Sequence, residues 1–158
     1  MADRVLPLDV LISTLAQRRA DGAKVALANG LFDLLHVGHL RYLEAARREA
    51  DLLVVAVNSD ASASRLKGPG RPIVPAAERA ELVAGFACVD YVTIFDADTA
   101  TDLILTLRPD VHCKGTDYSA DTVPERDAVT SYGGRVAIVG DAKGHATRDV
   151  IARIAGKE

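Results

Sequence analysis

The histidines His36 and His39 lie in a stretch whose residue types suit the handling of a phosphate. The stretch begins at Asn29 and reads Asn-Gly-Leu-Phe-Asp-Leu-Leu-His-Val-Gly-His. An apolar run over 25–28 precedes it and a helical pattern follows from Leu40, which predicts a strand, a tight turn and a helix. A helix start presents unpaired N–H groups and the positive end of the helix dipole, and both favour a phosphate. Imidazoles beside it add hydrogen-bond donors that can also carry charge, so the pattern predicts a phosphate site with catalytic capacity.

The same pair of histidines allows two other interpretations. Histidines at i and i+3 bind metals on some helices, but no further cluster of Cys, His or Glu lies nearby in the sequence. The pair could also cap the helix or pack in its first turn. Gly30 and Gly38 let the backbone approach a ligand closely, and Asp33 adds a carboxylate, so these residues favour the phosphate site.

The longer pattern resembles that of the HxGH nucleotidyltransferases, a cytidylyltransferase-like superfamily in which His-x-Gly-His opens the first helix of a Rossmann-like domain. The motif reads His36-Val37-Gly38-His39 here, and Asn-Gly-x-Phe-Asp precedes it after a strand. The resemblance implies an α/β fold, a Rossmann-like three-layer sandwich with a five-stranded parallel sheet. Strand and helix patterns alternate along the chain, which favours a parallel sheet with both faces covered.

The patterns predict a single nucleotidyltransferase domain over 1–158, with an N-terminal helix in 1–23 and a catalytic core in 24–155. The predicted strands span 24–29, 52–57, 89–95, 111–113 and 135–139. The predicted helices span 8–19, 40–50, 76–86, 99–107, 121–132 and 149–154, with a loop over 140–144. The core-facing residues predicted on the first and third of these helices are Leu11, Ile12, Leu15, Leu82, Val83 and Phe86.

Polar residues follow two of the predicted strands, at the position where open α/β sheets bind ligands. Asn58 and Asp60 follow the second strand and are predicted to contact the nucleotide, although this segment could also cap the next helix. Lys114 and Asp117 follow the fourth strand and are predicted ligand-binding residues. His112 lies within that strand and is predicted to be a core histidine.

A segment over 65–72, rich in Gly and Pro, contains three cations and is predicted to be an irregular loop. Such a loop could close over a bound anion. The resemblance to the HxGH family implies that Lys67, followed by Arg71, is the best candidate for contacting it, and the alternative is a solvated basic loop. On the next helix, the resemblance implies that Glu78 and Arg79 help to hold a phosphate or a carboxylate, and the alternative is a solvated helix face. Thr147 begins the last helix, either as a further anion contact or as an ordinary cap.

Five segments in order are similar to those of the adenylyltransferases that act on D-glycero-β-D-manno-heptose 1-phosphate. The segments span 29–39, 55–60, 65–68, 71–72 and 114–118, and the resemblance runs from about 24 to 154. Leu31 replaces a Cys that is common in that family. Ala146 stands where a Ser usually precedes the Thr, and Arg148 follows where a second Thr is common. One phosphate-contacting hydroxyl is therefore absent from the last motif.

The resemblance implies a role for each site residue. The implied catalytic residues are His36, His39 and Lys67. The implied nucleotide-binding residues are Asn29, Gly30, Phe32, Gly38, Asn58, Asp60 and Thr147. The residues implied to face the sugar phosphate or a metal are Asp33, Arg71, Arg79, Lys114 and Asp117. The implied substrates are ATP and a sugar phosphate, with Mg²⁺ held mostly by their phosphates rather than by a cage of protein ligands.

Two other activities stay open on the sequence. The HxGH site also serves CTP, so a cytidylyltransferase for glycerol 3-phosphate or another polyol phosphate is one alternative. A catalytically silent nucleotide-binding module is the other. No G-x-G-x-x-G follows a strand and no G-x-x-x-x-G-K-[ST] is present, which argues against a dinucleotide dehydrogenase and a P-loop kinase.

The composition narrows the partners and the location that we expect. The formal net charge is −3, so nothing suggests a basic surface for nucleic acid. No apolar run approaches the roughly 20 residues of a membrane helix, and the first residues lack the layout of a signal peptide. We therefore expect a cytoplasmic enzyme that binds neither nucleic acid nor membrane, and a homodimer is a family expectation.

Overall fold

A five-stranded, all-parallel sheet forms the centre of the computed structural model, which describes residues 2–141 and 146–157. The strand order is β3-β2-β1-β4-β5. The strands are β1 (Val25–Gly30), β2 (Leu52–Asn58), β3 (Tyr91–Phe95), β4 (Val111–Lys114) and β5 (Arg135–Ile138). The loop predicted over 140–144 falls mostly outside the described residues.

The strand β1 lies in the middle of the sheet because its neighbours pair with it on both sides. Its register with β2 runs from Val25 opposite Leu52 to the last residue of β1, and β4 pairs with its other edge. Every residue of β2 is buried, as expected for a parallel strand that is covered on both faces. The strand order reverses at β1, so its carboxyl end is the position where open α/β sheets bind ligands.

Helices cover both faces of the sheet. They are α1 (Leu8–Ala20), α2 (Val37–Arg47), α3 (Asp60–Lys67), α4 (Ala76–Ala84), α5 (Thr101–Leu107), α6 (Arg126–Ser131) and α7 (Thr147–Ile154). Leu43 of α2 and Val83 of α4 belong to the core on one face, whereas Leu11 of α1 and Ile104 of α5 belong to the core on the other. The predicted fold class, a Rossmann-like three-layer sandwich with a five-stranded parallel sheet, is confirmed. Within the described ranges, no helix has the length and apolar character needed to cross a membrane.

The basic segment over 65–72 is only partly the irregular loop that was predicted. Its first three residues form the last turn of α3, and the loop begins at Gly68, which has a φ of 94°. Ser59 caps this helix, since its side-chain oxygen accepts from the backbone N–H of Ser62 at 3.1 Å. The alternative that the segment after β2 caps a helix is therefore confirmed, although no bounds were predicted for α3, because the helix is polar and buries little apolar surface. Lys67 is consequently the last residue of a helix and not a residue of the loop.

Three local predictions about helices were wrong. Ile12 is 41% exposed and Leu82 is 55% exposed, because α1 and α4 bury narrow stripes that include Leu11 and Val83 but not the adjacent positions. The helix α5 begins at Thr101 rather than at residue 99, with Ala100 in the capping position and no side-chain cap. The backbone N–H of Ala100 instead donates to Oε1 of Glu125 at 3.3 Å, a partner that no local pattern reveals.

Candidate active site

A cavity of about 540 Å³ lies at the carboxyl end of β1. Four regions enclose it: the turn between β1 and α2, the end of α3 with the loop that follows, the segments after β4 and β5, and the first turn of α7. Its lining residues are Leu31, Phe32, Asp33, His36, Gly38, His39, Tyr42, Lys67, Arg71, Gly115, Thr116, Asp117, Val139, Gly140, Asp141, Ala146, Thr147 and Arg148. The cavity therefore lies at the edge of the sheet where the fold class places ligands.

The turn between β1 and α2 has a strained backbone. Phe32 and Leu34 have φ values of 54° and 49°, in the left-handed region, which costs a non-glycine residue about 1–3 kcal/mol. Contacts from the surrounding structure hold this conformation, including a hydrogen bond from the guanidinium of Arg79 to the carbonyl oxygen of Leu31. Phe32 is buried, with its ring centroid 5.5 Å from that of His39. The strain lies directly before the histidine motif, where it sets the direction in which α2 starts.

The two histidines of the motif cap α2 with their Nδ1 atoms. The backbone N–H of Gly38 donates to Nδ1 of His36 at 3.1 Å, and the backbone N–H of His36 donates to Nδ1 of His39 at 3.2 Å. The ring centroids lie 4.1 Å apart. An Nδ1 that accepts a hydrogen bond has no proton, so in each neutral ring the proton is on Nε2. The capping role that the sequence left open is therefore real, and it selects the tautomer in which Nε2 is a donor.

His39 is a neutral imidazole near pH 7. Burial lowers its pKa to about 4, and the charge of His36 acts in the same direction. A neutral ring with its proton on Nε2 can donate one hydrogen bond to an oxyanion without first losing a proton. His39 is thus suited to stabilising charge that develops on a phosphate, rather than to serving as a general base.

The carboxylate of Asp33 is occupied by protein donors. Oδ2 accepts from Nε of Arg71 at 3.0 Å and from the backbone N–H of Ile73 at 2.8 Å, and Oδ1 accepts from the backbone N–H of Val74 at 3.0 Å. Burial opposes ionisation, but these hydrogen bonds prevail and hold the pKa of Asp33 below its usual value. The carbonyl oxygen of Asp33 also accepts from Oγ1 of Thr147 at 2.8 Å. Asp33 therefore joins two walls of the cavity.

Arg79 and Asp60 form a second polar link behind the cavity and do not line it. Arg79 is fully buried, and its Nη2 donates to Oδ1 of Asp60 at 2.9 Å while its Nε donates to the carbonyl oxygen of Val74 at 2.7 Å. The same Oδ1 accepts from the backbone N–H of Ala76 at 2.8 Å. These contacts tie α3, α4 and the intervening loop together. The burial of Arg79 contradicts the solvated face, and its contact with a phosphate stays a prediction. Whether Asp60 contacts a nucleotide stays a prediction.

Three of the predicted nucleotide contacts lie beside the cavity without lining it. Oδ1 of Asn29 accepts from Nε2 of His112 at 2.8 Å, which places His112 in the core as predicted. Asn58 is buried, and its Nδ2 donates to the carbonyl oxygen of Ala97 at 3.1 Å. Gly30 packs against the ring of Phe32, which lies 3.3 Å from the position of a Cβ. These residues support the floor of the site in this structure.

The remaining predicted residues line the cavity, with one exception. His36, His39, Lys67, Phe32, Gly38, Thr147, Asp33, Arg71 and Asp117 all line it. Lys114 lies just outside, at the end of β4, with its Nζ 4.8 Å from the ring centroid of Tyr118. Burial lowers the pKa of Lys114, while the charges of Glu125 and Asp117 act in the opposite direction. The structure thus brings together most of the predicted set on one concave surface.

Three cations and three carboxylates line the cavity. The cations are Lys67, Arg71 and Arg148, and the carboxylates are Asp33, Asp117 and Asp141. Asp33 is paired with Arg71, and Asp141 is paired with Arg41 at 2.7 Å. Over 2–141 and 146–157, no group of three or more His, Cys, Asp or Glu side chains could hold a metal ion. Lys67 and Arg148 form no ion pair with a carboxylate within these ranges, so they are suited to a polyanion such as a triphosphate, whose own oxygens would supply most ligands of a bound Mg²⁺.

The sequence did not single out several lining residues. Tyr42 lies one turn after His39 on α2, a spacing that would have revealed it, and its hydroxyl donates to the carbonyl oxygen of Cys113 at 2.6 Å. Val139, Gly140 and Asp141 follow β5 and carry no motif. They line the cavity only because β5 lies beside β4 in the sheet, and a local pattern gives no information about this neighbour.

Comparison with known sequences agrees with the geometry of the site. A family model described as cytidylyltransferase-like matches residues 27–151. The chain is 51% identical over 144 residues to the bifunctional protein HldE of Syntrophotalea carbinolica, a match that covers 91% of this chain and 29% of the relative. It is 50% identical over 151 residues to the protein of the same name from Geobacter sulfurreducens, covering 96% of this chain and 31% of the relative. The chain thus spans less than one third of the length of these relatives.

Solved structures show the same fold. The crystal structure of the lipopolysaccharide core biosynthesis protein from Thermoplasma volcanium superposes with a TM-score of 0.66 at 24% identity, covering 77% of this chain and 99% of that one. Pantothenate synthetase from Thermus thermophilus superposes with a TM-score of 0.63 at 20% identity, covering 93% of this chain and 67% of that one. At these identities the likeness concerns the fold alone. The matched family model, which covers most of the chain and includes the HxGH motif, shows that this chain belongs to the cytidylyltransferase-like family of nucleotidyltransferases.

Proposed function

We propose that this nucleotidyltransferase joins ATP and D-glycero-β-D-manno-heptose 1-phosphate to give ADP-heptose and pyrophosphate. The reaction type is supported by the pair of imidazoles whose Nδ1 atoms cap the start of α2. They line a cavity that is also lined by three cations. The similarity of five segments to the heptose 1-phosphate adenylyltransferases, and the similarity to proteins named HldE, support the choice of substrates.

The chemistry is a displacement at the α-phosphorus of ATP. An oxygen of the sugar phosphate attacks this phosphorus in line, the bond to the β-phosphate oxygen breaks, and pyrophosphate leaves with the electron pair. The attacking phosphate is already ionised at neutral pH, so no general base is needed, and catalysis consists mainly of positioning and charge stabilisation. This requirement fits His39, whose pKa of about 4 keeps it a neutral donor.

The residues of the cavity divide this work by position. His36 and His39 donate from Nε2 to oxygens of the α- and β-phosphates, where charge grows as the bond breaks. Lys67, Arg71 and Arg148 neutralise the triphosphate and the acceptor phosphate from the two sides of the motif. Thr147 and the first turn of α7 hold the leaving phosphates. Mg²⁺, if bound with the nucleotide, would supply further neutralisation of the triphosphate.

A second candidate is a cytidylyltransferase that uses CTP and glycerol 3-phosphate or another polyol phosphate. The matched family model, described as cytidylyltransferase-like, favours it. The same imidazoles and cations would act on either triphosphate, because they are proposed to contact phosphates and not the base. We therefore expect the base to be selected by the segments after β4 and β5, which line the rest of the cavity.

Pyrophosphate release tests both candidates in one experiment. The purified chain is incubated with Mg²⁺ and each pairing of ATP or CTP with heptose 1-phosphate or glycerol 3-phosphate. We expect rapid release only with ATP and heptose 1-phosphate, and the nucleotide sugar should appear in equal amount. Release with CTP or with glycerol 3-phosphate would keep the mechanism and replace the substrates. Absence of release in all four pairings would contradict the proposed function.

A further inference from the structure

Asp33 is placed where its side chain can act only on the protein. The two neighbouring residues, Phe32 and Leu34, both have positive φ values, so Asp33 lies in a turn of unusual backbone conformation. The residue is 1% exposed although it lies at the wall of the cavity. The two carboxylate oxygens together accept three hydrogen bonds from the segment over 71–74.

These contacts leave little capacity for a metal ion. A Mg²⁺ ligand needs an accessible oxygen with a free lone pair, and the ion keeps a rigid octahedral shell. The Oδ2 atom of Asp33 already receives two donors, one of them the guanidinium of Arg71 at 3.0 Å. A divalent cation at this carboxylate would lie beside that fixed positive charge.

The same contacts orient the guanidinium of Arg71. Its Nε is held by Asp33, and the side chain is 18% exposed and lines the cavity. Within the described part of the chain, no hydrogen bond from the two terminal nitrogens of Arg71 to another residue is found. A guanidinium is a planar fork, so fixing Nε fixes the plane in which the terminal nitrogens can meet a phosphate.

We infer that Asp33 is a positioning residue that acts through Arg71: it holds Nε so that the terminal nitrogens of Arg71 bind a phosphate group of a substrate in the cavity. It contacts neither substrate nor metal. The inference rests on the proposed function in that the phosphate belongs to ATP or to the sugar phosphate. The orientation of Arg71 by the carboxylate of Asp33 depends only on the contacts described above.

A double-mutant cycle distinguishes this action from a general structural role. The variants are Asp33→Asn, Arg71→Met and the combination, assayed by pyrophosphate release with ATP and heptose 1-phosphate. We expect each single change to lower kcat/KM by about 10- to 100-fold, because a bidentate, charge-assisted contact is lost or misdirected. The combination should be within about threefold of Arg71→Met alone, since Asp33 has nothing to orient once Arg71 is gone.

The pair formed by Asp90 and Arg47 provides a matched control. Asp90 accepts from the backbone N–H of Leu53 at 2.8 Å, and its Oδ2 lies 3.2 Å from Nε of Arg47, so the chemistry is the same away from the cavity. Asp90→Asn and Arg47→Met should leave kcat/KM within about threefold of the unmodified chain. Losses in kcat/KM that multiply in the combination of Asp33→Asn and Arg71→Met would overturn the inference. So would a clear rise in the Mg²⁺ concentration that gives half-maximal rate in Asp33→Asn, because this would indicate a metal ligand.

Two further measurements keep the inference falsifiable if a variant or the proposed reaction fails. If Asp33→Asn does not fold, Arg71→Lys replaces it: lysine keeps the charge but has no fork, so we expect a loss close to that of Arg71→Met, and full activity would overturn the inference. If the unmodified chain releases no pyrophosphate with these substrates, calorimetric ATP affinity supplies the same cycle. Affinity losses that do not multiply support the inference, and unchanged affinity in both single variants overturns it, whatever the reaction.

Discussion

His39 shows how one side chain can have both a structural and a chemical role. Its Nδ1 accepts from the backbone N–H of His36, and its ring centroid lies 4.1 Å from that of His36 and 5.5 Å from that of Phe32. The hydrogen bond fixes the ring and selects the Nε2–H tautomer, and burial keeps the ring neutral with a pKa of about 4. The role of helix cap therefore prepares the donor that the reaction needs.

The two roles of His39 can be separated by substitution. Asparagine places Oδ1 near the position of Nδ1, so His39→Asn keeps the capping acceptor and lacks the Nε2 donor. We expect kcat to fall about 10²- to 10³-fold while the calorimetric affinity for nucleotide changes by less than about threefold. His39→Ala removes the cap as well and should cost about a further 1 kcal/mol in the free energy of unfolding. A loss of nucleotide affinity in His39→Asn as large as the loss of kcat would contradict a role in the transition state.

The residue types of the site could be predicted from the sequence, but the partners of these side chains could not. The motif with its two glycines and two histidines could be recognised because its strand, turn and helix are adjacent in the chain. The donors to the carboxylate of Asp33 are 38 to 41 positions away, and Nε2 of His112 is 83 positions from Asn29. Periodicity reports which face of an element a residue occupies, and it contains no information about such partners. For this reason the resemblance grouped Asp33, Arg71, Arg79, Lys114 and Asp117 together. The structure pairs Asp33 with Arg71, buries Arg79 behind the cavity and leaves Lys114 outside its lining.

The helix α7 brings Arg148, a residue that departs from the pattern of the resembled family, to the wall of the cavity. Its first turn places Thr147 against the carbonyl oxygen of Asp33 and lets Arg148 line the cavity, where the resemblance expected a hydroxyl. Within the described ranges, no carboxylate forms an ion pair with Arg148. The guanidinium thus adds a charge at a helix start that already favours phosphate.

Arg148 and Arg153 allow the contribution of this charge to be measured on one helix. Both are exposed residues of α7, but only Arg148 lines the cavity. We expect Arg148→Ala to raise the KM for the nucleoside triphosphate by about 5- to 10-fold, with a smaller effect at high salt, because an exposed charge is screened. Arg148→Lys should recover most of the loss, and Arg153→Ala should change KM by less than about twofold. Equal effects of Arg148→Ala and Arg153→Ala would show that only the net charge matters.

The whole molecule gathers its polar residues at one edge of an otherwise apolar sheet. The central strands β1 and β2 are buried, and the groups that could bind phosphate come from the segments that follow β1, β2 and β5. The strands were predicted over most of their lengths because a parallel sheet that is covered on both faces requires continuous apolar runs. The bounds of α3 and the first residue of α5 were not predicted, because α3 is polar and because the backbone N–H of Ala100, at the start of α5, has its partner at Glu125, 25 positions away.

The half-buried His39 and the buried His112 make the stability of the whole fold depend on pH. His39 and His112 have folded-state pKa values of about 4 and about 3, against 6.5 for an exposed histidine, and burial is the main cause for both. The unfolded chain therefore binds more protons than the folded chain as the pH falls below about 6.5, so stability is lost with falling pH. The loss should approach about 1.4 kcal/mol per pH unit for each histidine near pH 5, and it should end near the folded pKa values.

Urea unfolding at pH 7, 6 and 5 measures this dependence, and His112→Gln assigns part of it. Glutamine can donate from its amide nitrogen to Oδ1 of Asn29 and does not titrate. The free energy of unfolding of this variant should consequently fall between pH 6 and 5 by about 1 kcal/mol less than that of the unmodified chain, whatever its value at pH 7. The lowered pKa of Asp33 adds to the acid loss only below about pH 4, as its carboxylate takes up a proton, so it does not affect this comparison. An unchanged slope in His112→Gln would show that His112 is already protonated in the folded chain, contrary to its closed environment and its single hydrogen-bond partner in the described structure.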